Sequence, residues 1–182
     1  MLHTKGMKEF TQKINQPQVV AKTERSLVLV DLENFARGSE HVGRHSKSIR
    51  QLVDQFSRDA VDQFRIVATG KRASEKDPGI FWDWSDSRFL IGAGIDGADR
   101  KLLQVLEDEP LCDSITEVQI WSGDHCFAPI TRRLRLSGKQ VNIFSIRGAA
   151  SHELCKAASK VHLFDWESIE ASSSETLDDL VA

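Results

Sequence analysis

Residues 117–145 read EVQIWSGDHCFAPITRRLRLSGKQVNIFS, and this stretch decides the fold. An apolar run, EVQIWSG (117–123), is followed by a helical pattern, HCFAPITRRLRLSGK (125–139), that ends at Gly138. A second apolar run, QVNIFSI (140–146), comes directly after it. Strand, crossover helix, glycine stop and strand make a βαβ unit, whose two strands run parallel. Asp124 stands at the junction of the first strand and the helix.

The same alternation extends in both directions. SLVLVD (26–31) is a continuous apolar run ending in an acid, which suits a strand buried on both faces. SKSIRQLVDQFSRDA (46–60) places Ile49, Leu52, Val53 and Phe56 on one helical face, with Ser46 or Ser48 as cap. FRIVATG (64–70) reads as a second strand. KRASEKDPGIFWDWSDS (71–87) reads as a long loop, or a loop with one helical turn, and RFLIGAG (88–94) as a third strand. DGADRKLLQVLEDE (96–109) is a helix opened by acids, with Leu102, Leu103 and Leu106 facing inward. SHELCKAASK (151–160) is a helix capped by Ser151, and VHLFD (161–165) a last short strand. The pattern predicts one α/β, Rossmann-like domain over residues 25–166, a mostly parallel sheet with helices on both faces. Residues 1–24 and 167–182 are polar and read as an N-terminal extension and a C-terminal tail.

At 182 residues the chain has room for one substantial core, and 40% apolar with 28% charged residues is an ordinary globular composition. No run has the length of a membrane span, and the N-terminus lacks a signal-peptide apolar region. A net charge of −3 argues against an electrostatic grip on nucleic acid by the whole surface and leaves room only for a local basic groove. Cys112, Cys126 and Cys155 form no CxxC pair and read as reduced thiols of a cytoplasmic protein. The chain has no GxxxxGK[ST] loop and no GxSxG, which argues against P-loop and serine-hydrolase chemistry, and GAGIDGAD (92–99), although glycine-rich, is not read as a dinucleotide-binding turn.

In open α/β sheets, ligands bind beyond the carboxyl ends of the strands. This sequence delivers acids there three times: Asp31 after the first strand, Asp96 and Asp99 before the acidic helix, and Asp124 after the central strand. Each has a local use, since Asp31 can begin a turn, Asp96 or Asp99 can complement a helix dipole, and Asp124 can cap a helix. Clustered carboxylates, however, repel unless a proton or a cation neutralises them. A hard divalent ion, Mg²⁺ or Mn²⁺, is the economical solution, and such an ion activates water for phosphodiester hydrolysis. Asn34 adds an amide that aligns carboxylates or contacts substrate without further anionic charge.

With these residues in view, the sequence resembles the NYN family of the PIN-like ribonuclease superfamily. LVLVDLENFARG (27–38) resembles its first strand and D-x-x-N motif, and GIDGADRKLLQVL (94–106) its G-x-D helix start. WSGDHCFAPITRRLRLSGKQVNIFS (121–145) resembles its strand–SGDxDF–helix–GKxV stretch, and SHELCKAASKVHLF (151–164) its closing helix and strand. The resemblance implies a Rossmann-like PIN domain that cleaves RNA endonucleolytically with Mg²⁺ or Mn²⁺. Carried over by position, Asp31, Asn34, Asp99 and Asp124 are the catalytic residues. Asp31, Asp99 and Asp124 hold the ion, and Asp96 either joins them or caps the helix. One position departs: where the motif carries a second acid, this chain has Cys126, a poor ligand for a hard ion. That implies one ion rather than two, or a weaker site. Glu33 beside Asp31 could replace the missing charge, but on a continuing strand it would point the opposite way.

RNA contacts are expected from Arg37, Lys71, Arg72 and Arg100, near the predicted edge. Arg44, His45, Lys101, Arg132, Arg133 and Arg135 are further basic groups, the last three equally explained as a solvated face. Phe81, Trp82 and Trp84 have three readings: base stacking by Trp82 and Trp84, core filling, or a homo-oligomer contact. The competing function is a catalytically degenerate domain that binds RNA or a protein partner.

Overall fold

Strand β1 (Arg25–Asp31) is apolar on both faces because both faces are covered. Leu27 and Leu29 point into one core and Val28 and Val30 into another, the period-two alternation of a central strand. The computed structural model describes residues 25–57, 62–108, 114–167 and 169. Within them β1 is flanked by β2 (Asp62–Gly70) and β4 (Ile115–Trp121), and β3 (Arg88–Gly92), β5 (Gln140–Ile146) and β6 (Lys160–Phe164) complete the sheet. The order is β3-β2-β1-β4-β5-β6 and every pairing is parallel.

Helices α1 (Leu32–Phe35), α2 (Val42–Ser57), α3 (Lys71–Lys76) and α4 (Ile80–Asp83) lie on the face of Val28 and Val30. Helices α5 (Gly97–Asp108), α6 (Ala128–Leu136) and α7 (His152–Ala157) cover the face of Leu27 and Leu29. The chain therefore winds outward from β1 to β3 along one face and returns through α5 to β4 along the other. The strand order reverses between β1 and β4, so the connections leaving their carboxyl ends part to opposite faces and open a crevice. The predicted single α/β domain with a parallel sheet is what the structure shows.

Local differences have local causes. The helix expected from Ser46 begins at Val42, and Ser46 is buried inside it, where its Oγ accepts the Trp84 indole N–H at 3.0 Å. Residues 71–87 carry two short helices rather than a loop, because Ile80 and Trp84 are drawn into the core under α2. The helix expected at 125–139 starts as a 3₁₀ turn, His125–Phe127, before α6 begins with Pro129 in its first turn. Asp96 lies outside α5 in the left-handed region, at φ 54°. The tail and extension read at 1–24 and 167–182 fall almost wholly outside the described residues.

One close approach sets the position of α5. A Cβ on Gly92 would lie 2.0 Å from the Gly97 carbonyl carbon, and one on Gly97 would lie 2.7 Å from that of Gly92. The end of β3 and the start of α5 thus pack backbone on backbone, which only glycine permits. That seats the first turn of α5, and with it Asp99, low against the sheet. Gly92→Ala is expected to lower stability by about 1–3 kcal/mol through overpacking at this contact. Urea denaturation checks it, and an unchanged midpoint would mean that the two backbones separate freely.

Candidate functional site

Asp31 ends β1 and caps α1: its Oδ1 accepts the Asn34 N–H at 3.2 Å. The carboxyl is only 2% exposed, and its Oδ2 accepts from the Ser122 hydroxyl at 3.3 Å. Asn34, one turn on, reaches across the crevice and accepts the Gly123 N–H on Oδ1 at 2.8 Å. The ends of β1 and β4 are therefore tied by two hydrogen bonds, Ser122 to Asp31 and Gly123 to Asn34. Gly123 has no room for a side chain, since a Cβ would sit 2.4 Å from Ala149 O and 2.6 Å from Ser145 Oγ.

Asp124 caps the 3₁₀ turn, its Oδ1 accepting the Cys126 N–H at 2.8 Å. Its own N–H donates to Ser122 Oγ at 3.2 Å, so Ser122 braces both Asp31 and Asp124. His125 is solvent-facing, with Nδ1 3.0 Å from Asp124 Oδ1. Asp99, in the first turn of α5, comes from the opposite side of the crevice.

Ligand atoms of Asp99, Asp124 and Cys126 lie within 4.8 Å of one another, and Asp31 makes a side-chain hydrogen bond to Asp99. Asp99 Oδ1 is a buried oxygen with no hydrogen-bond partner among the described residues. Burial first, then the hydrogen bond to Asp99 and its charge, hold the Asp31 carboxyl well above the usual carboxylate range. Asp99 is also raised, by burial and by the charges of Asp124 and Asp96, although its bond from Asp31 acts the other way. Of the two, Asp31 lies deeper, so burial disfavours its charged form the more strongly. Burial and the charges of Asp99 and Asp124 likewise push the Cys126 thiol far up. Two carboxylates, one of them with an orphaned buried oxygen, and a thiol, backed by a third carboxyl, are a donor set that a divalent cation fits.

Asp31, Asn34, Asp99 and Asp124 thus come together as their spacing predicts. Asp96 does not join the ligand cluster. It lines an adjacent open groove of about 720 Å³ with Glu33, Gly70, Lys71, Arg72 and Ile95. Glu33 corrects the expectation that it points away. The chain turns into α1 directly after Asp31, which brings the Glu33 carboxylate round to accept the Gly70 N–H. Its pKa is raised, chiefly by burial.

Several predicted substrate contacts are engaged elsewhere. Trp84 is 1% exposed, bonded to Ser46 and covered by the Arg50 guanidinium at 5.4 Å, so it is a core residue. Arg37 lies over the Trp166 ring, and His45 is buried edge-on to the same ring at 4.7 Å. Arg100 donates to Ala93 O at 2.8 Å and fastens the loop before α5. Arg132 pairs with Glu153, while Arg133 and Arg135 donate to the carbonyls of Leu106 and Ala157. Lys71 and Arg72 remain on the groove, and Trp82 stands 81% exposed on α4. Ser122 is a site member that the sequence did not single out, and Cys126, singled out there as a missing acid, has its sulfur within the cluster. The small polar residue before Gly123 was the signal for the first.

The family model described as NYN domain matches residues 102–167, from within α5 to just beyond β6. The match includes Asp124 and Cys126 and covers the later stretches that carry the resemblance, while Asp31, Asn34 and Asp99 lie before it. Among solved structures, the chain is similar to a protein of unknown function from Vibrio parahaemolyticus, with a TM-score of 0.56 at 13% identity, over 81% of this chain and 96% of that one. At that identity the likeness speaks for the fold alone. No curated protein matches.

The raised Asp31 carboxyl has a consequence for stability. A carboxyl whose folded pKa lies above its unfolded value, about 3.9, stabilises fully below that value and loses its contribution as pH rises through the folded one. With divalent ions chelated, the protein is expected to lose stability as pH rises above about 4 through the folded Asp31 pKa. Asp31→Asn, which keeps a donor toward Asp99 without needing a proton, should raise the melting temperature at neutral pH, by about 2–4 °C per kcal/mol relieved. Thermal melts of both proteins between pH 5 and 8 check this, and parallel curves would remove the buried charge from the account.

Proposed function

We propose that the protein is a metal-dependent endoribonuclease that hydrolyses RNA phosphodiester bonds at this carboxyl-edge site. The observation that carries the reading is the convergence of Asp99, Asp124 and Cys126 within 4.8 Å, with the buried Asp31 behind them, at the point where strand order reverses. A Mg²⁺ or Mn²⁺ ion bound there would activate a water and neutralise charge on the phosphate.

Asp99 and Asp124 hold the ion, and Asp31 keeps Asp99 in place by their shared proton. Asn34 spends its carbonyl on Gly123, which leaves its NH₂ to donate to a phosphate oxygen. Lys71 and Arg72 draw the strand along the groove. Its three acids, Glu33, Glu75 and Asp96, set against those two cations, keep the grip weak. Trp82 offers an exposed face for a base of single-stranded RNA. The reduced thiols fit a cytoplasmic location.

Labelled single-stranded RNA with Mn²⁺ tests the reading against Asp31→Asn and Asp124→Asn. Wild type should cleave; Asp124→Asn, which removes a group that holds the ion, should lose about a hundredfold, and Asp31→Asn, which still donates to Asp99, about tenfold. Equal cleavage by all three would expose a contaminant. RNA retention in a gel shift without cleavage would make the protein a binding module instead.

A further inference from the structure

The chemistry so far treats the site as an oxygen site, yet one of its three converging groups is a thiol. Cys126 stands in the 3₁₀ turn that follows β4, and its N–H is held by Asp124 Oδ1 at 2.8 Å. That bond holds the Asp124 carboxylate against the backbone of the turn, and the Cys126 sulfur and a carboxylate oxygen of Asp124 both lie within 4.8 Å of a carboxylate oxygen of Asp99 on α5. Cys126 packs against the apolar core beneath α5 and α6, and its sulfur also lies within reach of two carboxylates from two different elements. The orphaned Asp99 Oδ1 lies in the same cluster, a buried acceptor whose partner is not supplied by the described residues. Cys155, also half-buried, belongs to no such group.

We propose that the Cys126 sulfur is itself an ion ligand, and that it makes this site prefer a borderline-soft divalent ion, Zn²⁺ or Co²⁺, over Mg²⁺. The inference rests on the reading of the acidic cluster as a divalent-ion site and goes beyond it, because it assigns the selectivity to one atom. Thiolate is a soft ligand that contributes strongly to Zn²⁺ or Co²⁺ and little to Mg²⁺, which demands oxygen. The thiol proton leaves to solvent as the metal–sulfur bond forms. Every divalent site ranks Co²⁺ and Zn²⁺ above Mn²⁺ to some degree, so the ranking alone proves nothing. The dependence of that ranking on Cys126 is the discriminating quantity.

The test reads binding rather than turnover. Co²⁺ is titrated into the full-length protein while the near-ultraviolet thiolate-to-metal charge-transfer band is followed. Calorimetry with Zn²⁺ and Mg²⁺ is run on wild type, Cys126→Ser, Cys126→Asp and Asp99→Asn, each first shown to melt cooperatively. Cys126→Ala stands in should the serine variant fail to fold. The proposal expects a band in wild type that vanishes without the sulfur. It also expects the Zn²⁺-over-Mg²⁺ preference to fall by about tenfold or more in Cys126→Ser. Cys126→Asp should shift the preference toward Mg²⁺. If ions bind in an Asp99-dependent way but no band forms, or the preference is the same without the sulfur, Cys126 is a packing residue and the acidic-site reading survives alone. If no divalent ion binds wild type, both fall.

Discussion

The structure turns on one unfavourable contact: two carboxyls, Asp31 and Asp99, meet at the carboxyl edge of a parallel sheet, and Asp31 is almost entirely out of water. Hydrophobic packing alone would never select that arrangement, since burying an unpaired carboxylate costs several kcal/mol and like charges add to it. It persists because the scaffold over-determines it. Asp31 is the last residue of the central strand and the cap of the next helix, so its backbone has nowhere else to go. Asp99 is carried in by α5, whose start is pressed against β3 through the Gly92–Gly97 contact. Ser122 and Asn34 then lace the ends of β1 and β4 together across the gap. A proton or a cation is what relieves such a pair. Stability given up at such a spot is the usual signature of a functional site.

Much of this was legible in the sequence, and the reason is periodicity. β1 is apolar without a break from Leu27 to Val30, β4 and β5 are mainly apolar, α5 and α6 carry one apolar face each, and Gly138 marks the stop between α6 and β5. Those signals determine a wound parallel sheet, and a wound sheet determines which loops share an edge. The acids Asp31, Asp99 and Asp124 follow from that edge, and the motif resemblance is what singled them out together with Asn34. What was not legible depended on turn geometry and on packing between distant segments. Glu33 was expected to point away because a strand was continued by one residue too many; the chain instead bends into α1, and the side chain swings to Gly70. Trp84 was open to base stacking, core filling or an oligomer contact, and it fills the core. Its indole is buried because Ser46, thirty-eight positions earlier, offers it an acceptor in the core. Arg37 and Arg100 were counted as free cations, and each is held by a ring or a carbonyl that no local pattern reveals.

Cys126 joins both halves of the argument. As a letter in the sequence it was a missing acid; as an atom in the fold it is a third donor facing two carboxylates. The turn that Asp124 caps converts an apparent loss of ligand into a change of ligand type. The same carboxylate thus serves local structure with one oxygen and the site with the other, so capping and ion binding are one arrangement rather than competing ones.

The central claim is that a divalent ion sits between Asp99, Asp124 and Cys126, in front of Asp31. A crystal grown with Mn²⁺ and measured for anomalous scattering tests it most directly. The account predicts one strong peak about 2–2.5 Å from a carboxylate oxygen of Asp99, one of Asp124 and the Cys126 sulfur. A peak placed instead among Glu33, Asp96 and the groove, or the absence of any peak at saturating Mn²⁺, would contradict it.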